Sequence, residues 1–279
     1  MTGASLKYLI KEGFRNTWTN RMMSIASICV LMSCLVLIGS ASMIFLNIDS
    51  LLGKIEEENV IMVYISDDST PDDIANMQNE INACGNIKSV EKALNYLGEE
   101  AIITRDHDEI VNSDKVILPG VGAFADAMEK IRHYGLEETI HEVVEKNIPF
   151  LGICLGLQLM FESSDEGPGV KGLGLLPGKI LRIPKSGDLK IPHMGWNNIK
   201  VKEDSRLFKE LPENPYVYFV HSYYLLADDE DIVAATTEYG VKIHAAVEKD
   251  NIFACQFHPE KSSSVGLHIC LLYTSPSPR

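Results

Sequence analysis

Basic residues are in short supply: 25 Lys and Arg stand against 39 Asp and Glu, a formal net charge of −14 over 279 residues. That deficit argues against a general nucleic-acid or anionic-membrane binder, whose phosphate contacts need a basic face. Cysteine is also sparse. The six residues Cys29, Cys34, Cys84, Cys154, Cys255 and Cys270 are too few and too scattered for a disulfide framework, and no C-x-x-C pair offers a zinc ribbon. His107, His133, His141, His221, His244 and His268 form no spaced cluster, so neither a metal nor another cofactor is expected. With 46% hydrophobic and 23% charged residues, the chain is neither disordered nor fibrous.

What is present changes character along the length. Residues 24–46, SIASICVLMSCLVLIGSASMIFL, carry no charge. As a helix this run would cross a hydrocarbon core of about 30 Å. Lys7, Lys11, Arg15 and Arg21 precede it, and Asp49, Glu56, Glu57 and Glu58 follow it. The charge asymmetry predicts one transmembrane helix with the N-terminus inside and a membrane location for the chain as written. Beyond it, NVIMVYIS (59–66) reads as a strand and DDSTPDDIANMQNEIN as a loop opening a polar helix. The leader LKYLIKEGFRNTWTNRMMSIAS, the apolar run and the strand with its acidic turn resemble the start of FtsX-type cell-division membrane proteins. That resemblance covers about residues 1–90 and implies a membrane-embedded division regulator as the competing function.

From about Gly85 the pattern is that of an α/β domain. AIIT (101–104), KVILP (115–119) and PFLGI (149–153) are short apolar runs, separated by helical stretches such as SVEKALNYLGEE and AFADAMEKIRHYGLEETIHEVVEKN. Alternating strands and helices point to a parallel sheet covered on both faces, with chemistry beyond the strands' carboxyl ends. In PFLGICLGLQLMFE, a buried strand ends at Gly152-Ile153, Cys154 occupies the turn, and Leu155 onward reads as helix. Gly152 and Gly156 flank the cysteine as in a nucleophile elbow, and a helix start favours the thiolate. A hundred residues later, IFACQFHPEKSS carries His258 and Glu260, two apart on an extended segment and so leaving the same side. A nucleophilic cysteine needs a base, and the base needs an orienting acceptor, so the two segments describe one Cys154–His258–Glu260 triad.

G-x-C-x-G followed by F-H-P-E resembles the class I glutamine amidotransferases. PGVGAF (119–124), PHMGWN (192–197) and YFVHSYY (218–224) are similar, within that class, to the glutaminase subunits of imidazole glycerol phosphate synthases. The resemblance implies a flavodoxin-like α/β domain over about residues 85–270, with glutamine as substrate. It implies that Cys154 attacks the side-chain amide while Val121 and Leu155 supply the oxyanion donors. Gly120, Gly122, Gly152, Gln158, Glu166, Ser222 and Tyr223 would shape or bind the substrate site. His193, Met194, Trp196, Asn197 and Lys261 would face a (β/α)8-barrel cyclase subunit, the partner that consumes the ammonia. Trp196 is equally readable as a core plug.

Two features depart from the family pattern. NMQNEINAC (76–84) is polar where an apolar first strand is expected, so that strand is missing or substituted, and NVIMVYIS is the apolar segment that could fill the vacancy. At the other end, LLYTSPSPR (271–279) reads as a non-native tail that stops the last helix. The chain thus reads as a fusion of two unrelated sequences joined near residue 85.

Overall fold

The computed structural model describes residues 3–19, 30–33, 35, 36, 39, 61–65, 86–187 and 189–274. They fall into two compact units, residues 1–57 and 58–279. In the first, α1 (Gly3–Thr19) is helical, with an Arg15–Glu12 ion pair at 2.6 Å. Most of the expected span 24–46 lies outside the described residues; those inside it that are described are helical, and Val30, Leu31, Met32, Leu35 and Val36 are exposed. Among the described residues no helix is long and apolar enough to cross a membrane, so the expected transmembrane helix is not found there. The acidic loop and polar helix expected over 67–83 lie outside the described residues.

The second unit is built on an eight-stranded sheet. Its strands are β1 (Ile61–Ile65), β2 (Glu100–Thr104), β3 (Lys115–Gly120), β4 (Phe150–Cys154), β8 (Lys200–Val201), β11 (Val233–Glu238), β12 (Lys242–Lys249) and β13 (Ile252–Cys255). They lie in the order β2-β1-β3-β4-β13-β12-β11-β8. β3, β4 and β13 run parallel, whereas β12 and β11 return antiparallel. The first five positions reproduce the 2-1-3-4-5 order of a flavodoxin-like sheet.

The vacancy is filled. Ile61–Ile65 sits between β2 and β3, pairing Val63 with both Ile102 and Val116. It runs antiparallel to both neighbours. Parallel neighbours were expected, and the sheet is mixed instead. An antiparallel insert satisfies the same backbone donors and acceptors, because ladder pairing depends on spacing and register, not on chain direction alone.

Each face of the sheet carries its own core. Val116 and Leu118 join Phe124, Met128, Ile140 and Phe161 on one side, while Ile117 and Leu151 join Val90, Leu94, Phe219 and Phe257 on the other. Alternation along β3 explains the division, since successive strand residues point to opposite faces. The long helical stretch 123–147 breaks into α4 (Phe124–His133) and α5 (Leu136–Glu145) at Gly135, whose φ of 68° suits glycine. α2 (Asn86–Tyr96), α3 (His107–Val111) and α6 (Leu155–Leu159) complete the early half.

The closing helix, α7 (Ser263–Thr274), corrects the reading of the C-terminal tail. It runs through Leu271–Thr274 rather than stopping at 270, with Tyr273 and Thr274 buried. Tyr273 Oη lies 2.8 Å from the carbonyls of Val116 and Pro149, and Lys115 Nζ donates to Tyr273 O at 2.8 Å. A buried ammonium thus caps the carbonyl end of the helix, where cations are favoured. The same helix also buries Leu267, Ile269, Cys270 and Tyr273, so polar anchors and an apolar face hold it together.

Beside the main sheet lie β5 (Ser163–Ser164), β6 (Gly178–Arg182) and β10 (Tyr223–Ala227), and a ribbon of β7 (His193–Asn198) with β9 (Tyr216–His221). His193 and His221 are register partners in that ribbon. His221 Nδ1 donates to Tyr223 O at 2.8 Å, so its Nε2 is the acceptor for His193 Nδ1 at 3.0 Å. His193 stacks on Phe219 and Tyr239, with ring centroids 4.6 and 3.8 Å away. It is buried, which corrects its assignment as a partner-facing residue. Burial holds both rings neutral, pushing His193 down to about 4 and His221 to about 3 from the ordinary 6.5.

Two measurements follow from this fold. Val63→Pro removes a ladder donor between two strands and should lower unfolding stability by about 1–3 kcal/mol, read by urea denaturation. In the second, each buried neutral histidine binds its proton more readily when unfolded. Stability is therefore full above pH 6.5 and falls with acidification towards about 4, by up to about 1.4 kcal/mol per pH unit for each ring. Melting curves of wild type and His193→Phe should diverge in slope across that window; parallel curves would contradict the neutral pair.

Candidate active site

Cys154 ends β4 and caps α6 with φ 56° and ψ −106°, a left-handed backbone rare outside glycine. Its neighbours are forced small by the tight turn. A Cβ on Gly156 would stand 1.8 Å from the carbonyl oxygen of Leu118, and one on Gly152 would stand 2.8 Å from that of Gly156. The strand, turn and short helix therefore pack backbone against backbone and lift the sulfur to a cavity of ≈360 Å³. Val121, Gly122, Cys154, Leu155, Gln158, Glu166, Ser222, Tyr223 and His258 line that cavity together. Gly120 and Gly152 do not line it. They support it from the sheet, Gly120 as the register partner of Cys154 and Gly152 beneath the elbow.

His258 follows β13 in an extended conformation, φ −100° and ψ 97°, and Pro259–Lys261 forms a 3-10 turn. The expectation of an extended His258–Glu260 segment is corrected here: the turn, not strand alternation, brings the carboxylate back onto the ring. His258 Nδ1 donates to Glu260 Oε1 at 2.8 Å, with both side chains buried. Ser262 Oγ donates to His258 O at 2.6 Å and accepts from Tyr218 N at 2.9 Å, which ties the turn to β9. Nε2 is left without a hydrogen-bond partner among the described residues. Burial opposes the ring's charge, but Cys154 and the Glu260 carboxylate outweigh it and raise His258 to about 10 from 6.5. The arrangement holds an imidazolium beside a sulfur. Cys255, by contrast, is fully buried, and burial pushes its thiol up.

The polar lining is pre-oriented. Gln158 Nε2 donates to Tyr223 O at 3.2 Å and to Gln256 Oε1 at 3.0 Å, so both its donor directions are committed and Oε1 remains the acceptor. Glu166 Oε2 accepts from Phe124 N at 2.8 Å at the start of α4. Both groups present acceptors, which suits a bound ammonium. Outside the cavity, Met194 is 62% and Trp196 53% exposed on β7, with Trp196 edge-on to Tyr218; the core-plug alternative for Trp196 is thereby removed. Asn197 Nδ2 donates to Glu238 O at 3.1 Å, and Lys261 sits partly exposed on the 3-10 turn.

Sequence reasoning passed over four residues here. Pro192, Val220 and His221 line the cavity, and Gln256 reaches the sulfur at 3.8 Å. The signal for Gln256 was available: it is a polar residue inside the apolar run IFACQF, two positions before His258.

Comparison with known proteins agrees with this geometry. The family model Glutamine amidotransferase class-I matches residues 80–270. The chain is 51% identical over 185 residues to the imidazole glycerol phosphate synthase subunit HisH of Caldanaerobacter subterraneus, covering 66% of this chain and 90% of that one. It is 49% identical to the HisH of Moorella thermoacetica, over 66% of this chain and 87% of that one. A crystal structure of a glutamine amidotransferase superposes with a TM-score of 0.54 at 22% identity, covering 68% of this chain and 95% of the other, which supports the fold. These matches leave the first 79 residues outside the family model, and the FtsX-type resemblance gains no support from them. On this ground the chain belongs to the class I glutamine amidotransferases.

Proposed function

We propose that residues 86–274 form the glutaminase subunit of an imidazole glycerol phosphate synthase, hydrolysing glutamine to glutamate and ammonia. The ammonia passes to a (β/α)8-barrel cyclase subunit, which forms imidazole glycerol phosphate and an aminoimidazole carboxamide ribonucleotide in histidine biosynthesis. The observation that carries this reading is Cys154 and His258 at one cavity, with Glu260 buried behind the ring on its Nδ1, in a chain 51% identical to a HisH subunit. No observation among the described residues favours the membrane-embedded division regulator.

In this mechanism Cys154 Sγ attacks the side-chain amide carbon and forms a tetrahedral adduct. Leu155 N–H and Val121 N–H, both at the cavity wall, receive its oxyanion. His258 Nε2 protonates the departing nitrogen, leaving a glutamyl thioester, then takes a proton from the water that hydrolyses it. Glu260 fixes the ring through Nδ1 and offsets its charge throughout. Gln158 and Glu166 take the substrate ammonium, and Ser222 and Tyr223 its other polar end. Gly122, with φ +99°, lets the PGVG loop present a backbone donor. Met194, Trp196, Asn197 and Lys261 face the cyclase. Without that partner, glutamine hydrolysis is expected to be feeble.

Cys154→Ala should abolish covalent labelling by a glutamine-analogue electrophile, while Cys255→Ala should retain it. Labelling of both to the same extent, read by intact-protein mass spectrometry, would remove Cys154 from the role. Trp196→Ala should weaken association with the cyclase subunit by about 2 kcal/mol or more, roughly thirtyfold in Kd. Calorimetric titration giving an unchanged Kd would place the partner elsewhere.

A further inference from the structure

Gln256 is absent from the proposed chemistry, yet it is fully buried and touches both halves of the site. Its backbone N–H donates to Ala245 O at 2.9 Å, prolonging the β12–β13 ladder by one residue and fixing where the side chain starts. The side-chain amide then bridges Gln158 and Cys154, with distances of 3.0 Å and 3.8 Å. Its orientation follows from a single acceptor. Tyr223 C=O only accepts, so the end of Gln158 beside it must be the NH2. That NH2 also faces Gln256, whose nearer atom must therefore be oxygen, and the Gln256 NH2 is turned to the sulfur. Neither amide can flip without setting donor against donor or acceptor against acceptor.

We propose that Gln256 is a positioning residue that couples the glutamine-binding Gln158 to the nucleophile Cys154. At one end it locks Gln158 with its oxygen towards the substrate. At the other it directs an N–H at Cys154 Sγ, where a donor favours the anionic sulfur over the thiol. It competes there with Val220 O, 4.0 Å from Sγ, which suits the protonated thiol. The inference rests on the reading of Cys154 as nucleophile.

The test measures the rate of Cys154 carboxamidomethylation by iodoacetamide against pH, and steady-state glutamine hydrolysis in the presence of the cyclase subunit. Titratable groups around the sulfur are His258 and Glu260 after β13, Cys255 on β13, His221 on β9, Tyr223 on β10 and Glu166 beyond β5. All of them are retained in Gln256→Met, which keeps the volume and removes both polar ends. The alkylation profile of that variant should move to higher pH, with the rate at pH 7 falling about tenfold or more. Its kcat should fall by a similar factor and its KM rise severalfold, because Gln158 is freed. Gln158→Met, on the cavity wall, leaves Gln256 without its orienting donor and should shift the alkylation profile the same way by a smaller amount. It decides the matter if Gln256→Met does not fold. An alkylation profile within twofold of wild type at every pH, in a folded variant, overturns the inference. Wild type that fails to hydrolyse glutamine while both variants shift the alkylation profile would overturn the glutaminase reading and uphold the coupling.

Discussion

Cys154 holds a backbone of φ 56° and ψ −106°, a conformation that costs a non-glycine residue of order 1–3 kcal/mol and persists only where its surroundings over-determine it. Those surroundings are the parallel ladders of β3, β4 and β13, together with the bare backbones of Gly152 and Gly156. With no Cβ at 156, α6 lies directly on the carbonyl of Leu118. The sulfur then emerges beside the end of β13, where His258 arrives. Were α6 lifted by even one methyl group, sulfur, imidazole and the Leu155 N–H would no longer share one cavity.

Electrostatics divides the site's histidines into two kinds. His258 is held as an imidazolium by Cys154 and Glu260 in spite of its burial, whereas His221 and His193 have no carboxylate and are held neutral by burial. The difference comes from partners and not from depth, since all three rings are buried. Tyr223 C=O supplies a common anchor: it accepts from both His221 Nδ1 and Gln158 Nε2, filling both lone pairs. One carbonyl thereby fixes a tautomer on the ribbon and an amide orientation beside Cys154.

The sheet shows how far a fold tolerates an unfamiliar component. A central strand position needs hydrogen bonds on both sides, and an empty one would strand buried donors and acceptors on β2 and β3. Ile61–Ile65 meets that need in the antiparallel sense, while the parallel ladders that carry Gly120 and Cys154 keep their register. The site depends on the carboxyl ends of β3, β4 and β13, not on the direction of β1. At the far end, Lys115 and Tyr273 secure α7 through polar contacts that no hydropathy pattern discloses.

By itself the sequence determined the α/β class, strands at 101–104, 115–119 and 149–153 that the structure finds within one residue, and the glycine-flanked cysteine, because local periodicity and turn chemistry act over a few residues. The apolar length of 59–66 marked a strand able to fill a vacancy, but not its direction, which is chosen by pairing with residues 35 to 55 positions away. FHPE announced a His–Glu pair. The 3-10 turn that actually joins them is set by Ser262 and Tyr218, which lie on different elements. His193 looked like a surface residue in PHMGWN, and only its stacking on Phe219 and Tyr239 buries it. Gln256 shows the same limit most sharply. Its polarity within an apolar strand was visible in one dimension, but its two partners stand 98 and 102 residues away, and only tertiary structure decides which end of an amide faces a sulfur.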